Sequence, residues 1–268
     1  MKQLSLTEIQ QIEINILQKF KAFCDSNDIT YYLSNGSLLG AVKYKGFIPW
    51  DDDIDVLVPR EDYDRLVRIF KDDERFCLFS YERNHKFRFP FAKLCDMSTL
   101  KIEQNTDNGI ALGLDIDIFP LDNWADDIYD AKSESAKILR LIHQLDFVKL
   151  KKADCINSAK RFVKSIVMFI YKRIGSSFFV KRIIKQSRNN IMNKSSYCGC
   201  KSWPIYGEHE IIPSELFEGT TVVEFEGEKF TAPIGYDKYL RSLYGDYEHD
   251  PPESEQKTHH HFKAYQNQ

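Results

Sequence analysis

The spacing of apolar positions predicts an α/β chain in which short strands alternate with helices. Apolar residues recur every three or four positions over 9–23 and again over 63–70, a period typical of amphipathic helices. Between 131 and 194 the pattern is mostly helical. Pro59 ends one predicted strand, because proline cannot donate to a strand ladder. Runs of β-branched and aromatic residues predict strands at 30–34, 54–58, 76–81 and 114–119.

The C-terminal part of the chain is predicted to contain a hairpin, a helix and a loop. Residues 222–232 have the alternation of two strands around a turn at 226–227. Apolar residues at helical spacing predict a last helix over 236–243, which Gly245 would close. The residues after 252 are predicted to form a loop.

Composition favours a soluble globular protein and excludes several other classes. The chain has 268 residues, of which 43% are hydrophobic and 29% charged, values that exclude whole-chain disorder. A net charge of −3 gives no reason to expect a nucleic-acid partner. A membrane span needs about 20 apolar residues, and the chain has neither such a run nor an N-terminal secretion signal. Six cysteines without a CxxC motif indicate reduced thiols and a cytoplasmic location.

Positive charge is concentrated in one stretch of the chain. Residues 155–207 contain eleven Lys or Arg and no Asp or Glu, and Phe162, Ile166 and Phe169 fall there at helical spacing. A basic amphipathic helix suits an anionic membrane surface, which we expect to be contacted through 160–188, or a polyanionic substrate. The alternative is a solvated helical face whose apolar side joins the core, and both interpretations remain open.

An acidic cluster is the strongest chemical signal in the sequence. Asp51, Asp52, Asp53 and Asp55 place four carboxylates within five residues. On a strand, Asp53 and Asp55 would share one face, because side chains two positions apart point the same way. Like charges so close are unfavourable unless a cation compensates them, and Mg²⁺ prefers carboxylate oxygens. A solvated acidic loop before a strand is the alternative that the cluster alone leaves open.

A Gly-Ser turn lies upstream of this cluster. Gly36 and Ser37 follow a predicted strand and precede a short predicted helix at 38–42. A helix N-terminus offers free N–H groups to a phosphate. The order of strand, Gly-Ser turn, helix and Asp-x-Asp strand resembles the nucleotidyltransferase fold of DNA polymerase beta and its relatives. In that superfamily the turn holds donor phosphates and the paired aspartates hold metal.

That superfamily usually adds a third carboxylate on a later strand, and the predicted strand at 114–119 supplies two candidates. Asp115 and Asp117 alternate with isoleucine, so both would lie on one face of the strand. We take Asp117 as the third metal ligand and keep Asp115 as the alternate. The other interpretation is an edge strand with one hydrated face.

Further blocks of sequence make the resemblance more specific. Five stretches of the chain resemble the signature of the LicD family. They are SNGSLLGAVKYKGFIPWDDDID at 34–55, DIFPLD at 117–122, YLRSLYGDY at 239–247, PPE at 251–253 and the histidines at 259–260. This resemblance covers nearly the whole chain and implies one domain, 1–268. Its parts would be a nucleotidyltransferase-like mixed-sheet core at about 28–122, a helical basic insertion at about 125–200 and a C-terminal family extension at about 203–262.

Similarity to LicD proteins implies phosphocholine transfer from CDP-choline to a hydroxyl of a bacterial surface glycan precursor, with release of CMP. The acceptor would be of teichoic-acid or lipopolysaccharide type, and a lipid-linked acceptor would place the enzyme on the inner face of the cell membrane. The related fukutin group moves polyol phosphates, so CDP-ribitol or CDP-glycerol is the alternative donor. A non-catalytic, membrane-associated binding protein is a third hypothesis, which the clustered carboxylates disfavour. The LicD-like C-terminal block disfavours nucleic-acid processing.

The resemblance also implies roles for individual residues. One or two Mg²⁺ ions would be held by Asp53, Asp55 and Asp117. Asp117 would in addition take the proton of the attacking hydroxyl. Gly36 and Ser37 would hold donor phosphate.

Other polar and aromatic residues have weaker assignments. Lys93 is favoured as a further ligand of donor phosphate, against the alternative that it points outwards from a strand. His259 and His260 would contact the leaving phosphate or act as acid–base groups, and a solvated tail is the alternative. A quaternary ammonium group has no hydrogen to donate and therefore needs aromatic faces. The candidates for that role are Tyr44, Trp50, Trp203 and Tyr206.

Overall fold

A mixed β-sheet with helices packed against it organises the molecule, which confirms the predicted α/β class. The computed structural model describes residues 1–155, 157–190, 195–258 and 262–267. Its helices are α1 (Leu6–Ser26), α2 (Asn35–Lys43), α3 (Arg60–Ile69), α4 (Ile128–Lys149), α5 (Ser158–Ile174), α6 (Ser176–Ser187) and α7 (Tyr236–Tyr244). Its strands are β1 (Lys2–Gln3), β2 (Tyr32–Leu33), β3 (Asp55–Pro59), β4 (Phe76–Phe79), β5 (Ala92–Glu103), β6 (Leu112–Asn123), β7 (Tyr197–Gly199), β8 (Ile212–Pro213), β9 (Thr220–Phe225), β10 (Glu228–Pro233) and β11 (Phe262–Gln266).

The strand order places three strands of the core side by side. The main sheet runs β1-β11-β5-β6-β3-β2, with β4 added to β5 and β7 bridging β6 and β8. Strands β3 and β6 are parallel, whereas β5 and β6 are antiparallel. Strands β9 and β10 form a separate hairpin. The predicted division of the domain into core, insertion and extension stays a prediction.

Local sequence signals explain several boundaries. A capping box between Ser5 and Glu8 fixes the start of α1, which covers the helix predicted at 9–23. The predicted hairpin turn is confirmed, since Glu226 and Gly227 have positive φ angles of 50° and 78°. Gly245, with φ of 69°, ends α7 as predicted.

The prediction of a loop after residue 252 is wrong in part. Residues Phe262–Gln266 form β11, which lies antiparallel to β5 in the main sheet. Long strand β5 itself was not among the predicted strands. Neither strand has the regular alternation of apolar and polar residues that identifies a strand from sequence, and β11 pairs with β5 across a long sequence separation.

One buried ion pair holds the far end of the core together. Arg60 at the start of α3 donates from Nε to Asp122 Oδ1 at 2.7 Å, and its Nη2 donates to Oδ2 at 2.6 Å. Asp122 is the last residue of the 117–122 motif and is almost wholly buried. A bidentate arrangement of this kind is short and directional, so the last residue of that motif has a structural role that joins α3 to β6.

The basic stretch contains helices with two different environments. Helices α4 and α6 pack together through Ile138, Leu145, Phe179 and Ile183 in a second apolar cluster. Helix α6 therefore fits the interpretation of a solvated helical face whose apolar side joins the core. In α5 the only buried residue is Met168. Among the described residues, no helix has the length and apolarity needed to cross a bilayer.

Candidate active site

The register of three neighbouring strands sets three charged side chains in a row. Asp55 of β3 pairs directly with Asp117 of the parallel strand β6. Asp117 in turn pairs with Lys93 of the antiparallel strand β5. Residues paired across a sheet share one face. The predicted proximity of Asp55 and Asp117 is therefore present in the structure, with a lysine on the far side of Asp117.

The loop before β3 adds further carboxylates at the same place. Oxygen atoms of Asp51, Asp52 and Asp53 lie within 4.8 Å of one another. Burial, together with Asp53 and Asp117, raises the pKa of Asp55 well above its usual value. Burial and the charge of Asp53 raise the pKa of Asp51 to about 8. These shifts have one physical cause, which is that negative charge has been gathered here away from water.

This donor set fits a divalent cation. Carboxylate oxygens are the ligands that Mg²⁺ prefers, and it is usually bound through one or two of them together with substrate phosphates. A cation would remove the repulsion that raises the pKa of Asp55. The assignment of Asp53, Asp55 and Asp117 as its ligands stays a prediction.

The Gly-Ser turn forms the first turn of α2, close to the carboxylates. Asn35 has a positive φ of 46°, and its Nδ2 donates to Asp55 Oδ2 at 3.2 Å. Its Oδ1 accepts a 3.0 Å hydrogen bond from the Tyr239 hydroxyl. Ser37 Oγ accepts from the backbone N–H of Asp55 at 2.8 Å. The turn is thus fastened to β3 by side chains on either side of Gly36.

Gly36 lies close to the carboxylate of Asp51. A Cβ added to this residue would stand 2.8 Å from Asp51 Oδ2. Glycine therefore allows the backbone of the turn to approach the carboxylates closely. Ser34, at the N-cap of α2, makes no side-chain cap to this turn. The role of Gly36 and Ser37 in holding phosphate stays a prediction.

Lys93 is a counter-ion of two aspartates. Its ammonium donates to Asp115 Oδ1 at 2.7 Å and also to Asp117 Oδ1. Lys101 donates to the other oxygen of Asp115 at 3.1 Å. Burial would raise the pKa of Asp115, but Lys101 and Lys93 lower it to about 2. Both oxygens of Asp115 thus accept hydrogen bonds from lysines, which favours Asp117 over Asp115 as the third metal ligand.

The same network of charges shifts the pKa values of Asp117 and Lys93. Burial raises the pKa of Asp117 to about 6, although Lys93 opposes the shift. Burial would lower the pKa of Lys93, but Asp115 and Asp117 raise it well above its usual value. Lys93 is therefore charged at neutral pH. Its predicted contact with donor phosphate stays a prediction, and the contacts in the structure are with carboxylates.

Two cavities meet at Asp53. The first, which we name the carboxylate cavity, has a volume of about 400 Å³, and its lining includes Asp51, Asp53, Asp55, Trp50, Tyr206 and Tyr244. The second, which we name the lysine cavity, has a volume of about 350 Å³, and its lining includes Asp53, Asp117, Lys93, Lys101, Phe89 and Trp203. A substrate that reaches Asp53 can therefore extend in two directions, and of the two linings only that of the lysine cavity includes lysines.

Some site residues were missed or misjudged from the sequence. No ligand role was assigned to Asp51 from the sequence, yet it lines the carboxylate cavity. Asn35 and Tyr239 were given no role, although they link the Gly-Ser turn to α7. Their positions inside two family-like blocks were the only available signal. His259 and His260 lie outside the described residues, so their predicted roles stay predictions.

Comparison with known proteins gives matches over the whole length of the chain. Residues 28–134 match a family model described as "LicD/FKTN/FKRP, nucleotidyltransferase domain". The chain is 33% identical to lipopolysaccharide cholinephosphotransferase LicD of Haemophilus influenzae, and the alignment covers 99% of each chain. It is 37% identical over 83 residues to uncharacterized protein RP689 of Rickettsia prowazekii, which is 31% of this chain and 29% of that one.

Proposed function

Because this chain belongs to the LicD family, we propose that it is a transferase that moves phosphocholine onto a hydroxyl group of a bacterial surface glycan. The main support is its similarity, over nearly its whole length, to a protein named as a lipopolysaccharide cholinephosphotransferase. The second support is the carboxylate cluster formed by Asp53, Asp55 and Asp117 on adjacent strands and the preceding loop. Clustered carboxylates suit transfer of a phosphoryl group, where positioning and charge compensation do most of the catalysis.

The donor we propose is CDP-choline, bound with one or two Mg²⁺ ions. Asp53, Asp55 and Asp117 would hold the metal, which supplies positive charge to the diphosphate and to the transferring phosphoryl group. The first turn of α2, with Gly36 and Ser37, would hold donor phosphate through its N–H groups. The lysine cavity offers Lys93 and Lys101 to the anionic part of the donor.

The proposed reaction is a single displacement at the phosphorus that bears choline. The acceptor hydroxyl oxygen forms a bond to this phosphorus, and the bond from phosphorus to the bridging oxygen breaks. CMP leaves with the bridging oxygen. Asp117 takes the hydroxyl proton, a role that suits a third carboxylate placed beside the attacking oxygen.

The test is a donor screen that follows CMP release. Purified protein, Mg²⁺ and a lipid-linked glycan fraction are incubated with CDP-choline, CDP-ribitol or CDP-glycerol in parallel. We expect CMP from CDP-choline alone. CMP from a polyol donor only would replace the proposed donor while keeping the site. No CMP from any donor, with the acceptor present, would support the non-catalytic hypothesis.

The acceptor we propose is lipid-linked, and we place the protein at the cytoplasmic face of an anionic membrane, which it contacts through 160–188. Helix α5 supports this contact because its apolar side chains face water, with Phe162 68% exposed and Phe169 61% exposed. Lys160, Arg161, Lys164, Lys172 and Arg173 lie on the same helix. Exposed apolar residues flanked by basic ones are the features with which a helix lies in a bilayer interface.

The double variant Phe162→Ser, Phe169→Ser is expected to bind vesicles containing phosphatidylglycerol at least about ten-fold more weakly than the wild type, because two apolar side chains no longer enter the interface. Sedimentation with vesicles measures the binding. Val222→Ser is the matched control, since Val222 is 62% exposed on β9. Equal binding of the double variant and the wild type would contradict a role for α5.

A further inference from the structure

We propose that the carboxylate cavity binds the trimethylammonium group of the donor, with Trp50, Tyr206 and Tyr244 supplying the aromatic faces. This inference rests on the proposed function, because it assumes a choline-bearing donor. It also assigns a specificity role to Tyr244, which lies in the C-terminal family-like block and was not among the candidate aromatics.

The lining of the cavity has the chemistry that a quaternary ammonium needs. Such a group has no N–H to donate, so it is recognised by aromatic faces and negative charge rather than by hydrogen bonds. Trp50, Tyr206 and Tyr244 line the cavity together with the carboxylates of Asp51, Asp53 and Asp55. Among the described residues that line it, none is Lys or Arg. A hydrophobic cation is therefore favoured there.

The aromatic rings are held at fixed angles. Tyr206 and Tyr244 stand edge to face, with ring centroids 5.3 Å apart and planes at 79°. Their hydroxyl groups are 3.0 Å apart and share a hydrogen bond. Trp50 lies edge to face with Tyr44 at 6.5 Å, and the Tyr44 hydroxyl donates to Asp250. These contacts position the rings before any ligand binds, which lowers the entropy cost of binding.

The aromatic rings of the lysine cavity already lie beside lysine ammonium groups. Trp203 lies there with its ring 5.4 Å from that of Phe91 and 6.2 Å from that of Phe89. The ammonium of Lys93 is 5.1 Å from the Phe89 ring centroid, so these aromatic faces already have a cation. The ammonium of Lys149 also lies 5.6 Å from the Trp203 ring centroid, so choline would have to compete with a lysine for this face. Of the four aromatic candidates from the sequence, Trp203 is therefore not expected to contact choline.

The two cavities together set the direction of the donor. Both open at Asp53, where the transferred phosphoryl group would lie. The choline end then extends towards the carboxylates and aromatic rings, away from Lys93 and Lys101. A donor with a neutral polyol in place of choline gains nothing from cation–π contact with these rings, so the cavity selects among donors.

Separate Trp50→Leu, Tyr206→Leu and Tyr244→Leu variants test this assignment. We expect each to raise the KM for CDP-choline about ten-fold, within the range of a lost cation–π contact, with a much smaller change in kcat. Tyr206→Phe and Tyr244→Phe keep the aromatic face, so their KM is expected to stay near the wild-type value. Tyr129→Leu is the control, since Tyr129 is an exposed tyrosine on α4.

Selectivity between donors is the second measurement. The wild type is expected to prefer CDP-choline over CDP-ethanolamine, whose primary ammonium keeps its water, and the leucine variants are expected to lose that preference. The ratio of the two kcat/KM values is measured on one preparation, so it does not depend on the fraction of protein that has folded. A leucine variant with the wild-type ratio and KM would overturn the assignment and leave the proposed function intact.

Calorimetric titration with phosphocholine separates this inference from the proposed function. If the wild type releases no CMP from CDP-choline, the proposed function is wrong, but the cavity can still be tested by binding. Phosphocholine binding to the wild type that is weakened about ten-fold in Tyr206→Leu would support the cavity. An absence of phosphocholine binding to the wild type would overturn it.

Discussion

Asp55→Asn is expected to reduce CMP release by about 10³-fold or more, the size of effect seen when one charge-compensating group is lost from an active site, while the protein stays folded. Asp55 is paired in register with Asp117, and its carboxylate accepts a hydrogen bond from Asn35 at 3.2 Å. Asparagine keeps an oxygen for that hydrogen bond. It removes the negative charge that we propose to hold the metal.

The same substitution is expected to leave the free energy of unfolding unchanged or to increase it. Burial, Asp53 and Asp117 raise the pKa of Asp55 in the folded protein, so its ionised form opposes folding at any pH above its unfolded pKa. That unfavourable contribution grows as the pH rises, and an uncharged asparagine lacks it. Activity and stability should therefore move in opposite directions, as is common at functional sites.

Thermal unfolding with and without Mg²⁺ completes the test of Asp55. A ligand that binds only the folded state raises Tm, so Mg²⁺ should raise Tm of the wild type and have little effect on Asp55→Asn. The control is Asp130→Asn, because Asp130 is exposed in the first turn of α4. An Asp55→Asn protein that keeps more than about a tenth of wild-type turnover would be incompatible with a ligand role for this carboxylate.

Lys93→Met is expected to destabilise the protein by about 3–5 kcal/mol, the cost of removing one partner of a buried ion pair. Lys93 is only 5% exposed, and its ammonium contacts Asp115 and Asp117. Without Lys93, Asp115 keeps Lys101, but Asp117 loses the cation beside it. Methionine has nearly the same length, so the lost charge rather than a cavity accounts for the effect. Urea unfolding of both proteins gives the free-energy difference.

Two further variants show whether the effect comes from an uncompensated carboxylate. Lys101→Met should cost less than half as much, because Asp115 and Asp117 both keep their ion pairs with Lys93. Adding Asp117→Asn to Lys93→Met should recover part of the lost stability, since the unpaired carboxylate is then neutral. If Lys93→Met unfolds at the same urea concentration as the wild type but has a raised KM for the donor, Lys93 is a phosphate ligand and not a structural counter-ion.

The pH dependence of stability follows from the same network. Burial opposes ionisation of Asp115, but Lys101 and Lys93 lower its pKa to about 2. An aspartate in the unfolded chain titrates at about pH 4. The ion pairs of Asp115 with the two lysines therefore stabilise the folded state above that pH. The stabilisation is lost as the pH falls towards 2. Lys93→Met should flatten this part of the stability profile.

Local periodicity was sufficient to predict much of the fold. Helix α1, the β9–β10 hairpin and the end of α7 at Gly245 each depend on residues close together in sequence. The acidic site was also visible, because Asp53 and Asp55 are two positions apart and Asp117 lies on an alternating strand. Strand β11 was not visible, since its pairing with β5 joins residues more than 150 positions apart.

The chemistry of individual side chains depended on contacts that no local pattern contains. Asn35 and Tyr239 are 204 positions apart, yet their hydrogen bond fastens the Gly-Ser turn beside Asp55. The ion pairs of Lys93 require the register of β5 against β6, since a shift of one residue would turn the side chain to the other face.

The amino-acid sequence by itself thus determined α1, the β9–β10 hairpin, the acidic cluster and the basic helices, because each arises from the spacing of neighbouring residues. Only the tertiary structure decided that Trp50, Tyr206 and Tyr244 share one cavity while Trp203 lies in another. It also decided that α6 buries its apolar face and α5 exposes it. Two helices of similar pattern differ in this way because burial depends on which surfaces meet, and that is a property of the folded chain.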